Sequence, residues 1–376
     1  MNRLLVLAPL LLLLAALQNC KPEKSSCNQC SGSDSLYTAT PLTLTQPFKF
    51  PAIKIPDDNP LTEEGVQLGR MLFYDPILSA DSSISCASCH KQEFAFADGG
   101  KQFSQNVFGL TKRNTPPIFN VLWMKDFFWD GRAHTLPLQV EDALVGEQDF
   151  SEASIVSKLE KRDDYTALFN KAFGKPCGIS QTKIEKALSQ FMMTLISTDS
   201  KFDKVMRGQA TFTASEQNGF YNLFMKDTGA AFGFGADCFH CHANSSSTSN
   251  LTLIDNNFHN NALQPSTTFT DFADKGKGAI TNNQFDNGLF RTPHVRNIEV
   301  TGPYMHNGQF ATLEEVIEFY NSGLKNSPTV DPQIKAVHQG GLQYLTAQDK
   351  ADLVAFMKTL TDTAFLNNPK FSNPFK

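Results

Sequence analysis

Apolar residues recur at helical spacing in two distant stretches of the chain that share one pattern. Thr62-Glu-Glu-Gly-Val-Gln-Leu-Gly-Arg-Met-Leu-Phe-Tyr74 opens on a threonine and then sets apolar side chains three and four residues apart. Thr213-Ala-Ser-Glu-Gln-Asn-Gly-Phe-Tyr-Asn-Leu-Phe-Met225 has the same design. Each stretch is followed far downstream by a matching helical pattern. Ala187-Leu-Ser-Gln-Phe-Met-Met-Thr-Leu195 and Asp352-Leu-Val-Ala-Phe-Met-Lys-Thr-Leu360 share Leu, Phe, Met, Thr and Leu at equal offsets. Two copies of opening helix, irregular middle and closing helix predict an all-α fold of two modules. They occupy residues 61–205 and 206–365, with a tail over 366–376. No alternation of strand and helix patterns argues for a sheet, and the Asn- and Ser-rich stretch from Asn244 toward Asn287 reads as loops.

The N-terminus follows other rules. Arg3 precedes an apolar run of 14 residues, Leu4 to Leu17, which is shorter than the ~20 residues a membrane helix needs and reads as a secretory signal over residues 1–19. Ala16-Leu-Gln-Asn-Cys20 resembles a loose lipobox, with Cys20 as the lipidated first residue of the mature chain; plain cleavage leaving Cys20 free is the alternative. Either makes this an exported, periplasmic protein, and the lipid would be its membrane anchor. Residues 20–60 read as a tether and a loop wrapping the first module. Within it, Cys27 and Cys30 suit a local disulfide in an oxidising compartment, while Cys177 reads as a lone thiol.

Composition narrows the class further. The 376 residues are 41% hydrophobic and 19% charged, which excludes a disordered or multi-span membrane protein. A net charge of -5 leaves no general footprint for nucleic acid.

The chemistry lies in two pentapeptides, Cys86-Ala-Ser-Cys89-His90 and Cys238-Phe-His-Cys241-His242. Two thiols one turn apart match the two vinyl groups of a haem, and the adjoining histidine reaches the iron from below. Two c-type haems are therefore expected, one per module. Zinc ribbons place their cysteine pairs ~15–20 residues apart, whereas these pairs are about 150 apart. A thioredoxin-like pair would want a βαβ context. His240 fills a spacer position in the second motif.

Between the repeated parts, the first module carries Arg113-Asn-Thr-Pro116 and Phe128-Trp-Asp-Gly-Arg-Ala133; the second carries Arg291-Thr-Pro-His-Val-Arg-Asn297 and Thr301-Gly-Pro-Tyr-Met-His-Asn-Gly308. With these segments in place the chain resembles the bacterial di-haem cytochrome c peroxidase family from about residue 60 to 365. The resemblance implies two cytochrome c domains packed around an interdomain site, a peroxidatic first haem, and a second haem at which electrons enter. It makes Trp129 the relay between them. It implies a calcium ion held by Asn114, Thr301 and Pro303, a ligand set that suits a hard cation. It also admits a homodimer.

The family's distal glutamine and acid stand ten and twenty residues after the tryptophan, which maps onto Gln139 and Asp149. The family acid is normally Glu, and Phe150 replaces the usual Met, so Glu147 is the alternative. The acid would move a proton between the two oxygens of hydrogen peroxide. No histidine occurs from Lys91 to Ala133, so the loop ligand that rests on the first haem of many relatives is missing; His134 is a weak substitute. On the second haem, the position fourteen residues past His306 is Tyr320 where peroxidases of the family carry Met. Tyrosine there is similar to the methylamine-utilisation di-haem enzyme, which oxidises residues of a partner protein through a high-valent di-iron state. Met305 and His259 are the alternative ligands. The leading expectation is a peroxidase that takes electrons from a reduced cytochrome c or a similar small donor protein; the protein-oxidising enzyme is the alternative, and a simple electron carrier would have no need of Trp129, Gln139 or the acid.

Overall fold

A computed structural model describes residues 39–175, 178–228, 235–243, 250–337 and 340–376. The signal segment, Cys20, the Cys27–Cys30 pair and Cys177 lie outside the described residues. The fold is mainly helical. Among the described residues, strand is confined to two antiparallel pairs, Gln105–Asn106 with Gly109–Leu110 and Phe258–His259 with Phe290–Arg291. No helix among the described residues is long and apolar enough to cross a membrane.

The repeat read from the sequence has a physical basis. Thr62 caps the Glu63–Tyr74 helix by accepting from the Gly65 amide, and Thr213 caps Ala214–Gln217 through a reciprocal box with Glu216. Where the first of these stays α-helical, the second widens into a π-helical turn over Asn218–Phe224. Each then packs on a closing helix, Gln181–Thr194 or Ala347–Lys358. The contact is close because a glycine sits at it. A Cβ on Gly69 would lie 1.9 Å from the Ala187 carbonyl oxygen, and one on Gly219 would lie 2.0 Å from that of Asp352. Ala187 and Asp352 are equivalent positions of the repeat. A second pair of equivalents follows: Asn120 and Asn297, both left-handed at φ 54° and 55°, donate their amides to Leu195 and Leu360 at 2.8 and 3.0 Å.

Two hydrophobic clusters result. One gathers Leu68, Leu72, Phe73, Phe96, Phe119 and Phe191; the other gathers Phe202, Phe220, Phe224, Leu353 and Phe356. Cys86 packs at the edge of the first and Cys238 at the edge of the second.

Both ends of the described chain depart from the sequence expectation. The N-terminal wrap reaches beyond the first module: Phe50 enters the second cluster and meets Trp123 edge-on at 4.8 Å. Phe371, assigned to the tail, and Phe365 return to the first cluster, where Arg70 donates to Ser372 O at 2.6 Å and Tyr74 to Phe371 O at 2.7 Å. Apolar burial explains both, since each aromatic leaves water by crossing to the other half.

Candidate active site

Each motif forms a single helical turn, Cys86–Cys89 and Phe239–His242. Among the described residues, its histidine is held from one side only. His90 Nδ1 donates to Phe96 O at 2.6 Å and His242 Nδ1 to Pro293 O at 2.9 Å. Such a bond fixes the tautomer and turns Nε2, with its lone pair, toward a metal. Burial holds both imidazoles below the usual histidine range, so they are neutral at pH 7 and able to ligate. Burial also pushes the thiols up, to about 11 for Cys86 and Cys89 and about 12 for Cys238 and Cys241. A reactive redox pair requires the reverse, and two pairs on separate clusters do not share one zinc.

A cavity opens beside the second motif. Cys238, Cys241 and His242 line it together with Trp129, Asn114, Thr301, Pro303 and Tyr320; much of the remaining wall is apolar, including Val295, Ile317, Leu342 and Leu353. The cavity also carries two basic groups, Arg291 and His294, that form no salt bridge among the described residues. Arg291 is buried, donates only to the Phe128 and Thr292 carbonyls at 3.1 and 3.4 Å, and has no salt bridge among the described residues; burial pulls its guanidinium down to about 10. His294 Nδ1 is buried without a partner, and burial, with Arg291 and Arg296 nearby, pulls it down to about 3. An uncompensated buried cation is costly. Apolar walls, two thiols, a free imidazole Nε2 and an unpaired guanidinium fit a c-type haem, whose ring is apolar and whose propionates are anionic.

Trp129 is buried and its indole nitrogen donates to Asn114 O at 2.8 Å, while the Asn114 amide donates to His306 O at 2.8 Å. Arg113 anchors this region by pairing with Asp130 at 2.6 Å and Asp274 at 2.7 Å. The Asn114 side-chain Nδ2 donates to the Lys101 and Gln102 carbonyls, which leaves its Oδ1 available to a cation. Thr301 and Pro303 line the same cavity.

Around the first motif the geometry separates the two candidate acids. Asp149 ends the Leu136–Gln148 helix in a left-handed conformation, φ 52°, and is exposed, while its neighbour Phe150 turns into the core. Glu147 is half-buried, accepts from Asn106 Nδ2, and its charge is felt at Cys89. Glu147, the alternative acid, therefore lies near the first motif, while Asp149 is exposed at the helix end beside the buried Phe150. Gln139 is buried with Oε1 unpartnered, but it stands about 12 Å up the helix axis from Glu147. Gln148, missed in the sequence, is closer: its amide donates to Cys86 Sγ at 3.6 Å, and its Oε1 is buried without a partner.

The alternative ligands fare differently. His134 is exposed and bonds Asp126 at 2.6 Å. His259 has both ring nitrogens engaged, with Asp331 at 2.6 Å and Asp255 at 2.8 Å, which removes it as a ligand. His240 pairs with Asp237. Tyr320 and Met305 both face the cavity.

The model of the di-haem cytochrome c peroxidase family matches residues 63–211. The methylamine utilization protein MauG of Methylorubrum extorquens is 33% identical over 325 residues, 83% of each chain. A cytochrome-c peroxidase of Denitromonas iodatirespirans is 31% identical over 362 residues, 87% of this chain and 90% of its own. Among solved structures, a MauG-like protein associated with microbial copper homeostasis superposes with a TM-score of 0.76 at 36% identity, over 89% of this chain and all of that one. With its paired Cys-x-x-Cys-His turns and the cavity beside one of them, the chain belongs to the di-haem cytochrome c peroxidase family.

Proposed function

We propose that this protein is a di-haem peroxidase that reduces hydrogen peroxide to water with electrons from a reduced cytochrome c or similar small protein. The observation that carries the reading is the pair of motif histidines, each neutral and each tied through Nδ1 to a carbonyl so that Nε2 is free. The two covalent haems supply the redox chemistry and the iron at which peroxide binds. The protein's own groups do the rest. His90 and His242 would ligate the two irons through Nε2, and Cys86, Cys89, Cys238 and Cys241 would attach the two haems. Glu147 takes a proton from one peroxide oxygen and returns it to the other; Gln148 offers a buried amide oxygen beside Cys86, while the buried Gln139 oxygen stands further along the same helix. Trp129 carries electrons between the halves, its indole locked by Asn114 O.

The finer organisation belongs to the same reading: two cytochrome c modules over 61–205 and 206–365, a calcium ion on Asn114, Thr301 and Pro303, and an exported, periplasmic protein anchored by a lipid on Cys20. A steady-state assay with peroxide and reduced cytochrome c tests it. Turnover in wild type that collapses in Trp129→Phe while both haems remain attached supports the reading; equal turnover in the two proteins contradicts it.

Tyr320 in the cavity beside the second motif favours a second reading, oxidation of residues in a partner protein by the same two haems. A phenolate ligand lowers the potential of that haem relative to Met, making it a weak acceptor from small cytochromes. Failure of cytochrome c to support turnover in a protein that still reacts with peroxide would select this branch.

A further inference from the structure

Asn261 follows the short Phe258–His259 strand and lines the cavity with Cys238, Cys241, His242, Met305 and Tyr320. Its amide nitrogen lies 3.2 Å from Tyr320 Oη and 3.3 Å from Met305 Sδ. A carboxamide has two N–H groups, and here they meet two side chains of the cavity, one oxygen and one sulfur, each able to complete the second haem's coordination. The third contender, His259, is clamped between Asp255 and Asp331. Both contenders sit on unusual backbone. Met305 is left-handed at φ 72°, a conformation that an unbranched long side chain adopts rarely and that is held by its surroundings. Tyr320 belongs to the π-helical turn Phe319–Gly323, which succeeds the Leu313–Glu318 helix; such turns re-aim side chains at functional sites.

We propose that Asn261 is the positioning residue that selects the sixth ligand of the second haem, restraining the Met305 sulfur with one N–H and aiming the Tyr320 oxygen with the other. The inference rests on the Tyr320 reading above. An N–H directed at the thioether holds the Met305 sulfur beside Asn261 and draws density from an already weak donor, although one of its two lone pairs remains. A phenol oxygen that accepts one N–H keeps further lone pairs for a metal. The arrangement therefore discriminates between two potential ligands that are both within reach, and the choice sets the haem's potential, because Met/His ligation raises it.

The test uses the purified ferric di-haem protein and reads its far-red absorption, where methionine sulfur bound to ferric haem gives a charge-transfer band, together with the potential of the second haem. Wild type and Met305→Leu are expected to lack the band. Asn261→Leu is expected to gain it, with a raised potential, and Asn261→Leu combined with Met305→Leu is expected to lose it again. If Asn261→Leu fails to assemble, Asn261→Ala removes the donors with less bulk and carries the same expectation. A spectrum and potential unchanged in the assembled Asn261 variant overturn the proposal while leaving Tyr320 ligation standing. A sulfur band in wild type that Met305→Leu removes overturns the Tyr320 reading itself, and selection by Asn261 with it.

Discussion

His242 donates its Nδ1 hydrogen to the Pro293 carbonyl at 2.9 Å. Pro293 belongs to the Arg291–Asn297 segment, so the loop that walls the cavity also orients the ligand. Removing the imidazole should leave covalent attachment intact while changing the iron's environment. In His242→Ala, mass spectrometry is expected to find both haems still on the chain, with the second haem's optical and magnetic signature lost; Cys238→Ala with Cys241→Ala should carry one haem only. Two haems on that double variant would mean the second motif is not an attachment site.

The two candidate acids separate cleanly by mutation. Glu147→Gln is expected to lower peroxide turnover about 10²-fold or more, the range typical of a lost acid–base group. Asp149→Asn should leave turnover near wild type, because its carboxylate is exposed at the helix end. The opposite ranking would restore Asp149 to the role.

Close helix packing in each half hangs on one glycine. Gly69→Ala and Gly219→Ala should each cost about 1–3 kcal/mol or more by forcing backbone apart, since the new Cβ would meet a carbonyl oxygen at 1.9 or 2.0 Å. Gly146→Ala is the control: a Cβ added there would meet nothing within 4 Å, and in a helix interior alanine stabilises by up to about 1 kcal/mol. Thermal unfolding of the three variants provides the comparison; equal melting temperatures would remove the close-packing explanation.

A pH dependence follows from His259. Burial pulls its imidazole down, yet the bonds to Asp255 and Asp331 outweigh burial and hold it up at about 9, against ~6.5 for a free imidazole. A raised folded-state value means that the contribution is fully present below about pH 6.5 and is lost as pH rises through 9. The stability difference between wild type and His259→Gln, measured by denaturant unfolding, should therefore shrink from pH 6 to pH 10. A difference that grows with pH would show the ion pairs to be absent.

Much of this was legible in the sequence because covalent attachment demands a contiguous spacing. The two pentapeptides and the helical repeat around Gly69 and Gly219 are local patterns, and local patterns survive in one dimension. Placement around a loop is not local. Whether residue 147 or 149 faces the first motif depends on Phe150 entering the core, which no spacing reveals. Asn261 carries no signal at all, standing in a stretch of asparagines, and becomes meaningful only where the chain brings Met305 and Tyr320 to it. The packing of the N-terminal wrap and the tail is non-local in the same way: Phe50 and Phe371 choose between two cores of similar chemistry, and composition does not say which is nearer.

The most direct test of the open-site reading, a first haem that needs no reductive activation beside a second haem on Tyr320, is low-temperature electron paramagnetic resonance of the as-isolated diferric protein, before and after one equivalent of hydrogen peroxide. The expected result is a high-spin first haem with an open position beside a low-spin second haem, and reaction with peroxide without prior reduction. Two low-spin signals, with reaction only after half-reduction by a donor, would contradict it.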